Sequence, residues 1–337
     1  MTHHTPTHVI LLGLLACAQG VSSAEETPGD KRPAIRNASQ EWSGNPLLQG
    51  RGVCDPSVRI FNNKAYLYAT HDTPLDAPER KGDRGFHMLE WWVWSSEDLI
   101  DWKLESTLNP TIFGFPIGFK DCWASDALSK NGKYYWYVCT PQNTYVAEAE
   151  TPTGPWKAPL GNKPLMTGRD PAPFIDDDGV PYLVTGVWKF KIARLGEDMI
   201  SLTESPREIV INNPEGPYGK RSTDDKAYLH KHNGWYYLSW GCYYAMSKNI
   251  YGPYDCKGSF LQAENIDKDI RQNRFDLDRH GSFFQWRGQW YFICNDHATA
   301  GQFYRDSVIT YVHYKEDGEI APIQITKRGI RKVGPSE

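Results

Sequence analysis

This chain of 337 residues has little that would tie it to nucleic acid, to a thiol-bound metal or to a membrane span. Lys and Arg number 37 against 41 Asp and Glu, a formal charge of −4. That balance lacks the basic footprint of a nucleic-acid binder. Seven cysteines are scattered without a CxxC pair, so their spacing dictates neither a zinc cluster nor a disulfide framework. After the first residues, no stretch is apolar enough to cross a bilayer as a helix. Long helical periodicity is missing as well, which leaves an all-β reading.

What is present begins with an export-type start. Val9 to Ala16 is apolar, and Ser22-Ser23-Ala24 offers a small-residue cleavage site. His3, His4 and His8 stand where Lys or Arg is usual. Leu14-Leu15-Ala16-Cys17 also resembles a lipoprotein box, which would anchor the chain through Cys17. These features predict a signal segment over 1–24, a polar leader over 25–44 and a secreted or periplasmic domain over 45–330. Aromatic residues reach 13%, with 13 Trp and 19 Tyr, a composition that favours strands.

Five segments repeat one shape. They open at Asp55, Trp123, Asp170, Asp225 and His280, and each runs into a short apolar strand. Each then turns at Asn62-Asn63, Asn131-Gly132, Asp178-Gly179, Asn233-Gly234 or Arg287-Gly288 and leaves on an aromatic strand. Asn-Gly and Asp-Gly are strong hairpin signals. The opening residue precedes the turn by 7, 8, 8, 8 and 7 residues, and the turns stand 69, 47, 55 and 54 residues apart. That spacing is the four-strand period of propeller blades and predicts a five-bladed β-propeller. A β-sandwich has similar hairpins without this period.

The first strand of a propeller blade lines the central channel. Asp55, Trp123, Asp170, Asp225 and His280 should therefore converge there. Carboxylates gathered in a concave site repel one another and lose hydration, so they need a reason. One is acid–base cleavage of a glycosidic bond, with a base and an acid roughly 6.5–9.5 Å apart for inversion. Another is a cation held by the carboxylates. The plainest is that each Asp caps its own strand.

These residues resemble glycoside hydrolase family 43 over about Asn45 to Ile330. Cys54-Asp55-Pro56-Ser57 matches the motif that carries the family's base. Arg169-Asp170-Pro171 matches the motif whose Asp tunes the acid and orients substrate. Trp123-Ala124-Ser125-Asp126 follows a second-blade pattern. His280 matches a last-blade His near a central calcium, and Arg305 a last-blade Arg at the substrate end of the site. The resemblance thus implies a carbohydrate substrate and one Ca2+ in the channel. It breaks in blade four, where Thr223-Asp224-Asp225-Lys226 replaces a Glu-Gly-Pro-His motif. Asp225 falls at the place of the general acid, one methylene shorter than Glu. Asp224 or a His is an alternative acid, and loss of activity with retained sugar binding is another reading. Lys226 would depress the acid's pKa if it pointed inward, so it is expected to point out.

The resemblance implies an inverting exo-glycosidase that releases α-L-arabinofuranose or β-xylose. A related propeller family, number 117, cleaves 3,6-anhydro-L-galactose from agar oligosaccharides and also lacks the usual Glu. Further substrate-contact candidates are Trp123 as a stacking surface, Asp126, His71-Asp72 and Arg305. An insertion from Thr73 to about Glu90 could wall the pocket. Trp91, Trp92 and Trp94 read as blade packing, Trp188 and Trp240 as packing or pocket wall. Asp296-His297, near the end of blade five's second strand, could face the site and has no assigned role, and the sequence leaves the oligomeric state open.

Overall fold

A computed structural model describes Met1 and residues 41–83, 85–298 and 303–334. The expected signal segment, Cys17 and nearly all of the polar leader lie outside the described residues. The six described cysteines are free thiols, five of them buried. No helix among the described residues is long and apolar enough to cross a membrane.

Five radial sheets form the expected five-bladed β-propeller, beside a two-stranded ribbon of Glu215–Gly216 and Gly219–Lys220. Blade one is Val53–Phe61, Lys64–His71, Trp91–Ser96 and Lys103–Leu108. Blade two is Trp123–Lys130, Lys133–Cys139, Asn143–Ala149 and Met166–Thr167. Blade three is Ala172–Ile175, Pro181–Val187, Lys189–Arg194 and Arg207–Glu208. Blade four is Ala227–His232, Trp235–Trp240, Tyr243–Ser247 and Tyr254–Ser259, with Ile211–Asn212 added in parallel outside it. Blade five has Gly281–Trp286, Gln289–Asp296 and Asp306–Val312. Its outer edge is finished by the start of the domain. Leu47 N–H donates to Ser307 O at 2.7 Å. The Asn45 amide donates to the carbonyls of Ile309 and Thr326, and accepts from Ile309 N–H.

Alternation along each strand splits the core among the blade interfaces. In blade three Leu183 packs toward blade two while Val184 packs toward blade four. In blade two Trp136 faces blade one and Tyr137 faces blade three. In blade one Tyr68 faces blade two, and Leu67 meets Trp286 and Ile293 of blade five. Each such side chain contributes about 1.5–3 kcal/mol when fully buried. The sheets are therefore glued face to face in a ring.

Four of the hairpins turn at the expected pairs, with positive φ at both tip residues: 49° and 57° at Asn62-Asn63, 54° and 78° at Asn131-Gly132. Blade three differs. Gly179 N–H bonds Asp176 O and Asp176 N–H bonds Val180 O, so its loop is Asp177-Asp178-Gly179. Only Gly179 is left-handed there, the geometry of a three-residue loop. This corrects the register. Counting back 7 residues from the first loop residue in every blade gives Asp55, Ala124, Asp170, Lys226 and His280. The backbone agrees, because Asp55, Asp170 and Lys226 share left-handed φ values of 48°, 59° and 48°. Trp123 and Asp225 stand one residue earlier than the ring position assigned to them from sequence.

Candidate active site

The ring opens into a cavity of about 320 Å³ that contains Asp55, Asp170, Asp224, Asp225, Asp278 and His280. Trp123, Arg169, His297 and Arg305 complete its polar wall. Phe86 and Met88 form an apolar side, so the 73–90 insertion does wall the pocket, with apolar groups rather than sugar-binding polar ones. A larger cavity of about 640 Å³ lies near Trp42, Thr310 and Arg328. It gathers no cluster of carboxylates, so the chemistry belongs to the smaller one.

Asp55 is 4% exposed and is gripped on one oxygen only. Its Oδ1 accepts from Arg305 Nη1 at 3.1 Å and Asn295 Nδ2 at 2.8 Å, and bonds His280 Nδ1 at 3.0 Å. No hydrogen bond among the described residues goes to Oδ2, which leaves it able to take a proton. Burial alone would raise this carboxyl, but Arg305 and His280, with Lys226, hold it well below the usual carboxylate range. Arg305 is itself fixed by Asp72, with Nε to Oδ2 at 2.9 Å and Nη2 to Oδ1 at 3.0 Å. Such forked pairs set orientation as well as charge.

The opposite side of the pocket has the reverse electrostatics. Burial, then the neighbouring Asp225 charge, pushes the Asp224 carboxyl up to about 7. The same two causes push Asp170 up to about 6. Asp170 Oδ2 accepts the Lys226 backbone N–H at 2.7 Å. Asp225 touches His280 Nε2 and lies 3.9 Å from Arg169 Nη2. The His280 ring thus stands between Asp55 and Asp225. Burial would keep that imidazole neutral, yet the charges of Asp225 and Asp278, with the hydrogen bonds it donates to Asp225 and Asp55, raise its pKa well above the ordinary value. Asp278 would be raised by burial, but His280, Arg305 and His297 draw it down to about 2.

Two groups of three donors lie within 4.8 Å: Asp55, Asp278 and His280, and Asp170, Asp225 and His280. They bring the three expected aspartates and His280 together. Trp123 lines the pocket with the Arg169 guanidinium over its ring at 4.7 Å.

Other expectations are corrected. His71 does not line the pocket; it stacks on Trp92 at 3.6 Å, and burial lowers its pKa to about 3. Asp126 is 1% exposed and bonds Ser57 and Arg59, a pairing inside the ring rather than at the pocket. Asp72 acts on Arg305 instead of facing the cavity. Lys226 points inward: it is buried, with Nζ 3.4 Å from Pro56 O. Asp278, Arg169, His297 and Asn295 were not assigned from sequence. Asp278 and Arg169 lie in connections that carry no repeat signal, and Asn295 lies in a second strand whose polar residues read as ordinary alternation.

Tyr218 was also missed. It is 58% exposed at the cavity mouth, and Trp188, 49% exposed, lies 5.1 Å away ring to ring. Trp188 has φ 62° and is held by hydrogen bonds with Asp224 and Thr223. A non-glycine residue held there stores about 1–3 kcal/mol.

A carboxylate held low by its cationic neighbours, with one open oxygen, and a buried carboxyl pushed up by burial and a neighbouring charge share one small cavity. On a five-bladed propeller this defines a glycosidase. The sequence profile of glycosyl hydrolases family 43 matches residues 43–320, and the chain belongs to that family. It is 26% identical over 325 residues to a xylosidase/arabinosidase of Bacteroides ovatus, covering 82% of this chain and 97% of that one. It is 27% identical over 327 residues to xylosidase/arabinosidase 43A of Humicola insolens, covering 82% and 98%. Among solved structures it is similar to a family 43 β-xylosidase/α-arabinofuranosidase from a compost microbial metagenome, in a calcium-free form with xylotriose. The TM-score is 0.70 and the identity 27%, over 85% of this chain and 98% of that one.

Proposed function

We propose that this glycosidase releases single β-xylosyl or α-L-arabinofuranosyl residues from chain ends of plant or algal saccharides, with inversion. The relatives' activities support the sugar, and the small cavity supports one terminal residue. The observation that carries the mechanism is the pairing of Asp55, ionised with Oδ2 open, with Asp224, which holds its proton near neutrality.

Asp55 Oδ2 takes a proton from water as the water oxygen attacks the anomeric carbon. The bond from that carbon to the leaving oxygen breaks, and Asp224 gives its proton to that oxygen. Asp225 supplies the negative charge that keeps Asp224 protonated, and Asp278 adds to that field. Inversion is what the family resemblance implies, and it needs the base and the acid roughly 6.5–9.5 Å apart rather than the roughly 5–5.5 Å of retention. Agar-type anhydro-galactose cleavage has no support from these relatives. Export, inferred from Val9–Ala16 and Ser22–Ala24, would place the activity outside the cytoplasm.

The calcium that the resemblance implies does not fit the donors present. Calcium takes roughly six to eight oxygens. Both donor groups depend on His280, whose two nitrogens are already engaged by Asp55 and Asp225. Arg305, His280 and Lys226 already supply positive charge to Asp55.

The test is hydrolysis of nitrophenyl β-xyloside, nitrophenyl α-arabinofuranoside and xylo-oligosaccharides, with NMR of the first product formed. Release of single sugars with inverted anomeric configuration is expected. Retained configuration, or internal cleavage of long chains, overturns the reading.

A further inference from the structure

The ring position of blade four holds a lysine where blades one and three hold aspartates. Lys226 is 3% exposed and does not line the substrate cavity. Its backbone N–H is bonded to Asp170 of blade three, and its Nζ reaches Pro56 O of blade one at 3.4 Å. Burial lowers the pKa of this ammonium, and the carboxylates that oppose the loss, without direct ion-pair contact, come from three other blades: Asp55, Asp126 and Asp170. Cys54 lies in the same field, and Arg59 is engaged by Asp126. A buried ammonium persists only where opposite charge compensates its lost hydration. The backbone there is left-handed, with φ 48°, a conformation that disfavours lysine. Lys226 is thus a buried cation on a left-handed backbone, at a ring position where two other blades carry aspartates.

We propose that the Lys226 ammonium, buried against Pro56 next to Asp55, is the resident cation of the channel, a fixed positive charge in place of a bound metal ion, so that the enzyme is metal-independent. The tethered charge cannot dissociate, and it makes a divalent ion beside it unfavourable by like-charge repulsion.

The full chain should be purified without chelator and its metal content measured by inductively coupled plasma mass spectrometry. Thermal melting and kcat/KM should be followed with EDTA and with added calcium. Substoichiometric calcium, with Tm and kcat/KM unchanged by EDTA, is expected. Stoichiometric calcium, or a fall in Tm with EDTA, overturns the proposal; neither readout depends on which sugar is cleaved.

Lys226→Gly suits the left-handed backbone and removes the charge. Its kcat/KM should drop at least tenfold and recover in part with methylammonium or calcium, and calcium should raise its Tm where it does not raise that of the wild type. Unchanged activity, or a loss that neither cation restores, also overturns it. If the variant does not fold, the metal and EDTA measurements on the wild type decide.

Discussion

Blades one and four enter the channel with the same backbone conformation, φ 48° at Asp55 and at Lys226, and carry opposite charges there. The repeat dictates where the chain runs, while the charge at the shared position is free to change. In blade one the ring residue is itself a carboxylate that lines the cavity. In blade four the ring residue is a cation, and the carboxylates stand one and two residues upstream, at Asp225 and Asp224. That offset separates a carboxylate drawn far down by Arg305 and His280 from one pushed up to about 7 by burial and Asp225. Under the proposed mechanism, one fold position treated in two ways sets apart a base and an acid.

The sharpest break in this comparison is Asp55→Asn. It should lower kcat/KM by about 10²–10⁴-fold on every substrate, since water loses its base whatever the leaving group. Steady-state kinetics on nitrophenyl xyloside and on xylobiose check this, and an equal rate for variant and wild type would remove Asp55 from the role. Asp224→Asn should behave differently. It should cost about 10²-fold or more on xylobiose and far less on a dinitrophenyl xyloside, whose leaving group needs no proton. If Asp225→Asn shows that leaving-group pattern instead, the acid is Asp225.

A smaller effect is expected on the pH profile. Asp224 acts while protonated, so kcat/KM should be full at low pH and fall as pH rises through about 7. Removing the Asp225 charge lowers the pKa of Asp224, so in Asp225→Asn that fall should move to lower pH. A profile whose alkaline limb stays in place would show that Asp225 does not tune the acid. The mildest change is Trp188→Ala. The Trp188–Tyr218 pair offers an aromatic surface for the departing part of a saccharide. Its loss should raise KM a few-fold on xylotriose and leave nitrophenyl xyloside kinetics unchanged. An equal change on both substrates would indicate a disturbance of Asp224, which Trp188 also contacts.

The propeller was legible because hairpin chemistry is local: Asn-Asn, Asn-Gly and Arg-Gly pairs mark the tips wherever they stand. The same logic found Asp55 and Asp170. It misplaced Asp225 because Asp178-Gly179 looks like a two-residue turn and is the end of a three-residue one. The direction of Lys226 was missed because only its effect on the acid was weighed. Its balance with Asp55, Asp126 and Asp170, from blades far apart in the chain, decides the matter. Asp278 and Arg169 sit on connections, where no period betrays which side chains reach the cavity. His71 and Asp126 looked available because strand-end polar residues resemble site residues until their partners, Trp92 and Arg59, are seen.

The Asn45 clamp on blade five has a consequence in time. Its hydrogen bond to Ile309 joins residues 264 positions apart. Blade one can therefore complete both of its faces only after blade five exists, when Leu67 and Val58 meet Trp286 and Ile293. Until then an apolar sheet face waits without a partner, and such distant contacts form late because the loop must be closed before they stabilise anything. The fastening of Asn45 to Ile309 is therefore expected to come late in folding.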